Sequence, residues 1–359
     1  MASTPNRDDW QPECVAKHLG PWLIQPEWFG EAVSAVKSGL WQPKEPRKLP
    51  MTSGQTAMEA KTQGVSAEPL YYLDGSGLAV LAIDGPMMKG ESKYGGANTL
   101  RIRRAVRTAA RDPDVKGIFF AIDSPGGTVA GTQELAQDVA EAGRQKPTFA
   151  HIDDLGASAA YWVASQTGRI TASATSEIGS IGVVAVVEDT SGLAEKRGIK
   201  VHVVSTGPYK GAGVEGAPIT GEQLGYMQDR VDAVHGHFLA AVSAGRDQPI
   251  AKVQEWANGK VWIADQAKSM GLIDEVSRMD DALNAARQAI SDTATDTMAR
   301  VEAAGKTFTV TAREPEMTSE DLRQREESRR FRVTAALARL KRQEEDLQAL
   351  LAKRKPPEA

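Results

Sequence analysis

Between residues 68 and 290 short apolar runs alternate with stretches of helical spacing. GLAVLAID (77–84) and VKGIFFAID, ending at Asp123, are continuous apolar runs that predict buried strands. Asn98 to Arg111 is a basic run of helical spacing, and TQELAQDVAEAGRQ (132–145) predicts a second helix. A third strand is predicted over Pro147 to Asp153, then a buried helix beginning at or just after Ser158, then a short strand near Arg169 to Ala172. GVVAVVED (182–189) and KVHVVS (200–205) read as further strands, separated by a helix from about Ser191 to Arg197. Four helices are expected after that: Thr220 to Ala244, Ile250 to Asn258, Ala264 to Met270 and Asp280 to Ile290. Strands alternating with helices imply crossover connections and a largely parallel sheet, so the fold class is α/β.

The flanks differ. Trp22, Leu23, Ile24, Trp28, Phe29, Ala32, Val33 and Val36 make a short amphipathic pattern around Pro26, where a helix can start. After Trp41 the chain turns polar, with Pro43, Pro46 and Pro50, and reads as a linker. This gives an arm and linker over 1–67, the alternating domain over 68–290, a second linker over 291–316 and a charged helical tail over 317–359. Within the tail Val333, Leu337, Leu340, Leu347 and Leu351 follow a heptad interrupted at Glu344. A self-association helix and a solvated helix both fit that stripe.

Composition narrows the choice of partners. A net charge of −4 is too near balance to point to nucleic acid or an anionic membrane. Cys14 is the one cysteine, which excludes an intramolecular disulfide framework and fits a reducing, cytoplasmic compartment. The first residues lack the order of a signal peptide, and no apolar run approaches the roughly 18–20 residues that span a bilayer. The expectation is a protein soluble where it is made.

Candidate chemistry centres on Ser158, which sits among Gly156, Ala157, Ala159 and Ala160 at the predicted start of a helix. There its hydroxyl lies near unpaired N–H groups and the positive end of the helix dipole. That suits a nucleophile whose product is an oxyanion, and equally a plain N-cap serine. SPGGTVAG (124–131) reads as a tight glycine turn between strand and helix, able to aim N–H groups at an anion or to serve only as a turn. It lacks the lysine of a phosphate loop, so no nucleotide cofactor is expected. Both loops follow strands that lie side by side in a parallel sheet, so their ends meet at the edge where α/β folds place sites. A serine on one and a glycine N–H on the other form the pair acyl transfer needs.

A base is harder to find. His18 lies in the arm, His151 and His202 in predicted strands, and His235 and His237 on a long helix; none follows a strand end and none has metal-ligand spacing. Lys210, in STGPYKGAG just past KVHVVS, is the alternative. A solvated lysine is neutral only about once in a few thousand molecules at neutral pH, and burial raises that share. An ordinary exposed loop lysine fits the position as well.

The run around Ser158, then SEIGSIGV, then STGPYKGAG, together with AIDSPGGTVAG and RDQPIAKVQEWANGKVWIADQAKSMGLIDEV, resembles the S49 peptidase family. These are the signal peptide peptidase A type proteases and their phage relatives. The resemblance covers roughly residues 75–280. It implies a Clp/crotonase-type ββα superhelix, here with a helical N-terminal arm and a helical C-terminal tail. It matches Ser158 to the nucleophile, Lys210 to the general base and Ser180 to the serine holding the lysine amine. It matches Gly127 to the oxyanion hole, with the N–H of Ala159 as second donor. Ala159 and Ala160 stand where many members have glycines. The family's rings, in which neighbouring protomers can complete each site, imply a homo-oligomer that uses no metal and no cofactor. The Trp-rich arm and charged tail look like phage head maturation proteases, which implies scaffold, portal or capsid proteins as substrates and a place in the host cytoplasm or the procapsid. Rivals are a signal-peptide-peptidase-like degrader of peptides, an acyl-CoA enzyme of crotonase type, and a non-catalytic capsid or scaffold component.

Overall fold

The computed structural model describes residues 22–25, 59–61, 70–92 and 95–303. Most of the expected arm, the tail and its heptad positions lie outside the described residues. In chain order come β1 (Trp22–Ile24), β2 (Glu59–Lys61), β3 (Tyr71–Leu73), β4 (Leu78–Asp84), β5 (Met87–Met88), β6 (Ala97–Asn98) and α1 (Thr99–Arg111). Next are β7 (Gly117–Ser124), β8 (Gly126–Thr128), α2 (Thr132–Gln145), β9 (Thr148–Ala157), α3 (Ala159–Ala164), β10 (Arg169–Ala172) and β11 (Glu177–Gly179). The last are α4 (Ser191–Lys196), α5 (Gly221–Gly245), α6 (Ile250–Trp256), β12 (Val261–Ile263), α7 (Ala264–Met270), β13 (Glu275–Val276) and α8 (Met279–Ala303).

The main sheet runs β12-β11-β9-β7-β4-β3-β2, with β10 beside β9 and β13 beside β10. Its centre is parallel: β4 on β7, β7 on β9, and β9 on both β10 and β11. Both faces are covered, which explains the unbroken apolar runs. Ala79, Leu81, Ile118, Phe120 and Ile122 face the helices α1, α2 and α3. The alternate set Leu78, Val80, Phe119, Ala121 and Phe149 packs on Ala282, Leu283, Ala286 and Ile290 of α8. That helix comes so close that a Cβ at Gly117 lies 2.6 Å from Ile290 Cγ2. Thus the mixed α/β architecture with a mostly parallel sheet is as expected.

Four local expectations need correction. The glycine turn 124–131 contains a strand, β8, which joins a second sheet in the order β1-β8-β5-β6. Trp22–Ile24, the front of the amphipathic pattern, is a strand, and the helix that Pro26 can start lies outside the described residues. The third strand continues four residues past Asp153, to Ala157. GVVAVVED and KVHVVS form no strand: residues 185–190 and 201–205 carry no regular structure, and their β-branched side chains find no neighbouring strand.

One buried ion pair fixes α8 to the sheet. Asp74, between β3 and β4, accepts from Ser76 Oγ at 2.6 Å and from Arg287 Nε at 2.8 Å. Burial by itself raises a carboxyl pKa, but bonds from Ser76, Arg287 and the Leu78 amide outweigh it and hold Asp74 below the usual carboxylate range. A folded-state pKa below the unfolded one contributes stability above the unfolded value, and that stability is lost as pH falls through the folded one. Asp74→Asn is therefore expected to lower Tm at neutral pH and to flatten the acid side of the Tm-against-pH curve. An unchanged acid slope in calorimetry contradicts this.

Candidate active site

Strand β9 ends at Ala157 and α3 begins at Ala159, so Ser158 is the single residue turning the chain between them. The turn forces φ 53°, ψ −116° on a non-glycine residue. Such a conformation costs on the order of 1–3 kcal/mol and persists only where the surroundings impose it. Here the Ser158 N–H donates to the Gly179 carbonyl at 2.7 Å, while its own carbonyl accepts from Trp162 N–H at 2.9 Å. The apolar run Tyr161-Trp162-Val163-Ala164 is fully built into the core. Trp162 stacks on Phe238 at 4.7 Å, and Tyr161 Oη donates to the Leu272 carbonyl at 2.8 Å.

Ser158 makes no side-chain capping bond, so the plain N-cap reading fails. Its hydroxyl is buried and has one long contact, 3.5 Å to the Gly182 carbonyl. A buried hydroxyl so poorly satisfied is uncommon in a merely structural role. A strained strand-to-helix turn also displays the nucleophilic serine of α/β-hydrolases.

Ser180 lies alongside. Gly179 pairs with Ala157 across β11 and β9, which sets Ser180 and Ser158 at adjacent strand ends. Ser180 is also buried, has φ 48° and donates its N–H to the Lys260 carbonyl at 2.7 Å. Its hydroxyl has no hydrogen-bond partner among the described residues.

Gly127 is central in β8, and α3 packs against that strand. Ser124 Oγ donates to the Gly85 carbonyl at 2.6 Å and accepts from Gly126 N–H at 3.2 Å, which fixes the bend between β7 and β8. A Cβ at Gly127 falls 1.8 Å from the Met87 carbonyl oxygen, so no side chain fits there. The structure thus brings together four of the five sequence-derived positions: Ser158, Ala159, Ser180 and Gly127. Strands β1 and β5, which flank Gly127, had no signal beyond a few apolar residues.

Lys210 stands apart. It sits in an exposed turn closed by its N–H donating to the Gly207 carbonyl at 3.2 Å, and its amine makes no hydrogen bond to Ser158 or Ser180. From Gly182 to His237 the one buried residue is Ala217. Among the described residues nine of the twelve exposed large hydrophobics fall in this stretch, including Val186, Ile199, Val204, Tyr209 and Tyr226. The apolar side of this excursion is therefore left exposed among the described residues.

Among the described residues no histidine hydrogen-bonds Ser158. His151 is buried in β9 with Nδ1 2.8 Å from Thr171 Oγ1 and Nε2 3.3 Å from Ser173 Oγ. His202 is exposed in the excursion, outside any strand, and His235 and His237 lie on α5. Among the described residues no His/Cys/Asp/Glu group is suited to hold a metal, and no helix is long and apolar enough to cross a membrane.

Comparison with known proteins fits this geometry. The model of peptidase family S49 matches residues 140–291, a span that contains Ser158, Ser180 and Lys210. A candidate protease of Methanocaldococcus jannaschii is 35% identical over 178 residues, covering 50% of this chain and 57% of the relative. A candidate protease of Synechocystis sp. is 30% identical over 190 residues, 52% of this chain and 69% of the relative. The capsid assembly protease C of Escherichia phage lambda is 29% identical over 219 residues, 60% of this chain and 50% of the relative. The chain thus spans between half and about two thirds of these relatives. With 69% of one 30%-identical protease covered and the family model matching across the strand–serine–helix junction, the chain belongs to peptidase family S49.

Proposed function

We propose that this chain is a serine endopeptidase working through Ser158 and Lys210, built on a Clp/crotonase-type ββα superhelix with terminal arms. The observation that carries the reading is the strained, buried, uncapped hydroxyl of Ser158 beside the Gly127 strand. In the reaction neutral Lys210 takes the Ser158 proton as Oγ attacks a peptide carbonyl. The N–H groups of Gly127 and Ala159 hold the oxyanion. Protonated Lys210 then donates to the leaving amine, the C–N bond breaks, and water hydrolyses the acyl-enzyme. The free hydroxyl of Ser180 is available to orient the amine.

Assembly supplies what one chain lacks. The exposed excursion that carries Lys210 is apolar enough to be buried against a second copy. A ring of protomers lets Lys210 reach a serine site, with its amine desolvated by the contact. The domain plan proposed from the sequence is an arm over 1–67, the peptidase over 68–290, a linker over 291–316 and a charged tail over 317–359; β2 lies inside the first of these and pairs with the main sheet, and α8 continues past 290 to Ala303. The similarity to a phage capsid assembly protease favours scaffold, portal or capsid proteins as substrates and a place in the host cytoplasm or procapsid.

Co-expression of wild type, Ser158→Ala and Lys210→Ala with candidate head proteins, read by mass spectrometry of the termini, tests this reading. Cleavage in the wild type alone is expected; cleavage persisting in either variant overturns it. A second test concerns the proposed oxyanion donor. Gly127→Ala must displace the Met87 backbone, at a cost of about 1–3 kcal/mol or more. It is expected to lower Tm and to remove more activity than the unfolded fraction accounts for. A variant with normal Tm and normal kcat/KM contradicts that placement of Gly127.

A further inference from the structure

The open side of β8 is occupied, and by this chain. Strand β1 runs antiparallel to β8 with Trp22 opposite Thr128, Leu23 opposite Gly127 and Ile24 opposite Gly126. The Gln25 N–H donates to the Pro125 carbonyl at 2.8 Å. In an antiparallel ladder hydrogen-bonded pairs alternate, so the next bonded pair after Gln25 and Pro125 is Leu23 and Gly127. The Gly127 N–H therefore faces the Leu23 carbonyl. Two further anchors hold the strand: Ile24 is buried, and Gln25 Nε2 donates to Glu177 Oε2 of β11 at 3.2 Å. Gln25 thereby reaches β11, the strand whose Gly179 carbonyl accepts from the Ser158 amide.

The geometry points to residues 22–25 as a built-in occupant of the substrate track, a segment of the arm docked on β8 as an extended peptide docks on a sheet edge. This rests on the reading that Gly127 is an oxyanion donor. If it is, the Leu23 carbonyl sits where a scissile carbonyl belongs, with Trp22 on the acyl side and Ile24 and Gln25 on the leaving side. A substrate strand and β1 then compete for one set of backbone groups. The arm holds the advantage of being tethered, with an effective concentration in the millimolar range. Access to the site is set by how often β1 lifts off.

Leu23→Pro tests this on the full chain, since it removes the N–H that pairs with Gly127 and touches no proposed catalytic group. The rate of Ser158 labelling by a serine-directed fluorophosphonate is expected to rise about tenfold, set by release of the tethered strand. A synthetic peptide of residues 20–27, added in millimolar excess, is expected to slow labelling again. In a Ser158→Ala background, hydrogen exchange at the Gly127 amide is expected to quicken when Leu23→Pro is added. That readout does not depend on the nucleophile, so faster exchange without any Ser158 labelling supports the docked arm and faults the catalytic reading alone. Unchanged exchange at Gly127, or Ser158 labelling that occurs in the wild type and is no faster in a folded Leu23→Pro protein, overturns the proposal.

Discussion

Ser158→Ala is expected to reduce peptide hydrolysis by about a thousandfold or more while leaving the fold intact. The reason lies in how little the hydroxyl does for stability. Its one contact is 3.5 Å long, and the capping bond expected of a serine at a helix start is missing. Ser158→Gly sharpens the test. Glycine adopts φ near +53° without the Cβ penalty, so this variant is expected to be inactive and yet more stable, by roughly 1 kcal/mol. Opposite changes in activity and Tm are the mark of a residue held in strain for its chemistry. Equal Tm in serine, alanine and glycine forms argues against stored strain at this turn.

Lys210 carries the second large effect. Lys210→Ala and Lys210→Arg are both expected to be as inactive as Ser158→Ala. The arginine keeps the charge but does not deprotonate, so it cannot act as a base. Neither change should alter the protomer's stability, because the lysine is exposed in its turn. If the amine reaches a neighbour's serine, co-assembling Ser158→Ala with Lys210→Ala restores activity. A random one-to-one mixture leaves an intact serine facing an intact lysine at about a quarter of interfaces in a cyclic assembly. Recovery near that level after co-refolding supports supply from the neighbour. No recovery in an assembled mixture places serine and lysine within one chain.

The sequence carried the core of the fold but not its edges. Leu78–Asp84, Thr99–Arg111, Thr132–Gln145 and Arg169–Ala172 were legible because periodicity and burial agree there. Strand β8 was not, since Gly126 and Gly127 have poor strand propensity and pair only because β1 and β5 lie on either side. Trp22–Ile24 gave no strand signal of its own, because three apolar residues before a proline fit several states. The runs at 182–189 and 200–205 misled in the other direction. Their valines have strand character, but a strand needs a neighbour along its length, and among the described residues only Val184 forms so much as an isolated bridge. The site divides in the same way. Ser158 and Ser180 follow the paired ends of β9 and β11, and Gly127 lies in β8, on which α3 packs, so motif and topology agree. Lys210 rides on the excursion whose apolar surface is exposed among the described residues.

Mapping the atom that a serine-directed fluorophosphonate modifies in the purified, assembled protein tests the central claim most directly. The account predicts one adduct, on Ser158, that forms in the wild type and fails to form in Lys210→Ala. An adduct on any other residue, or labelling of Ser158 that proceeds as fast without the lysine, contradicts it.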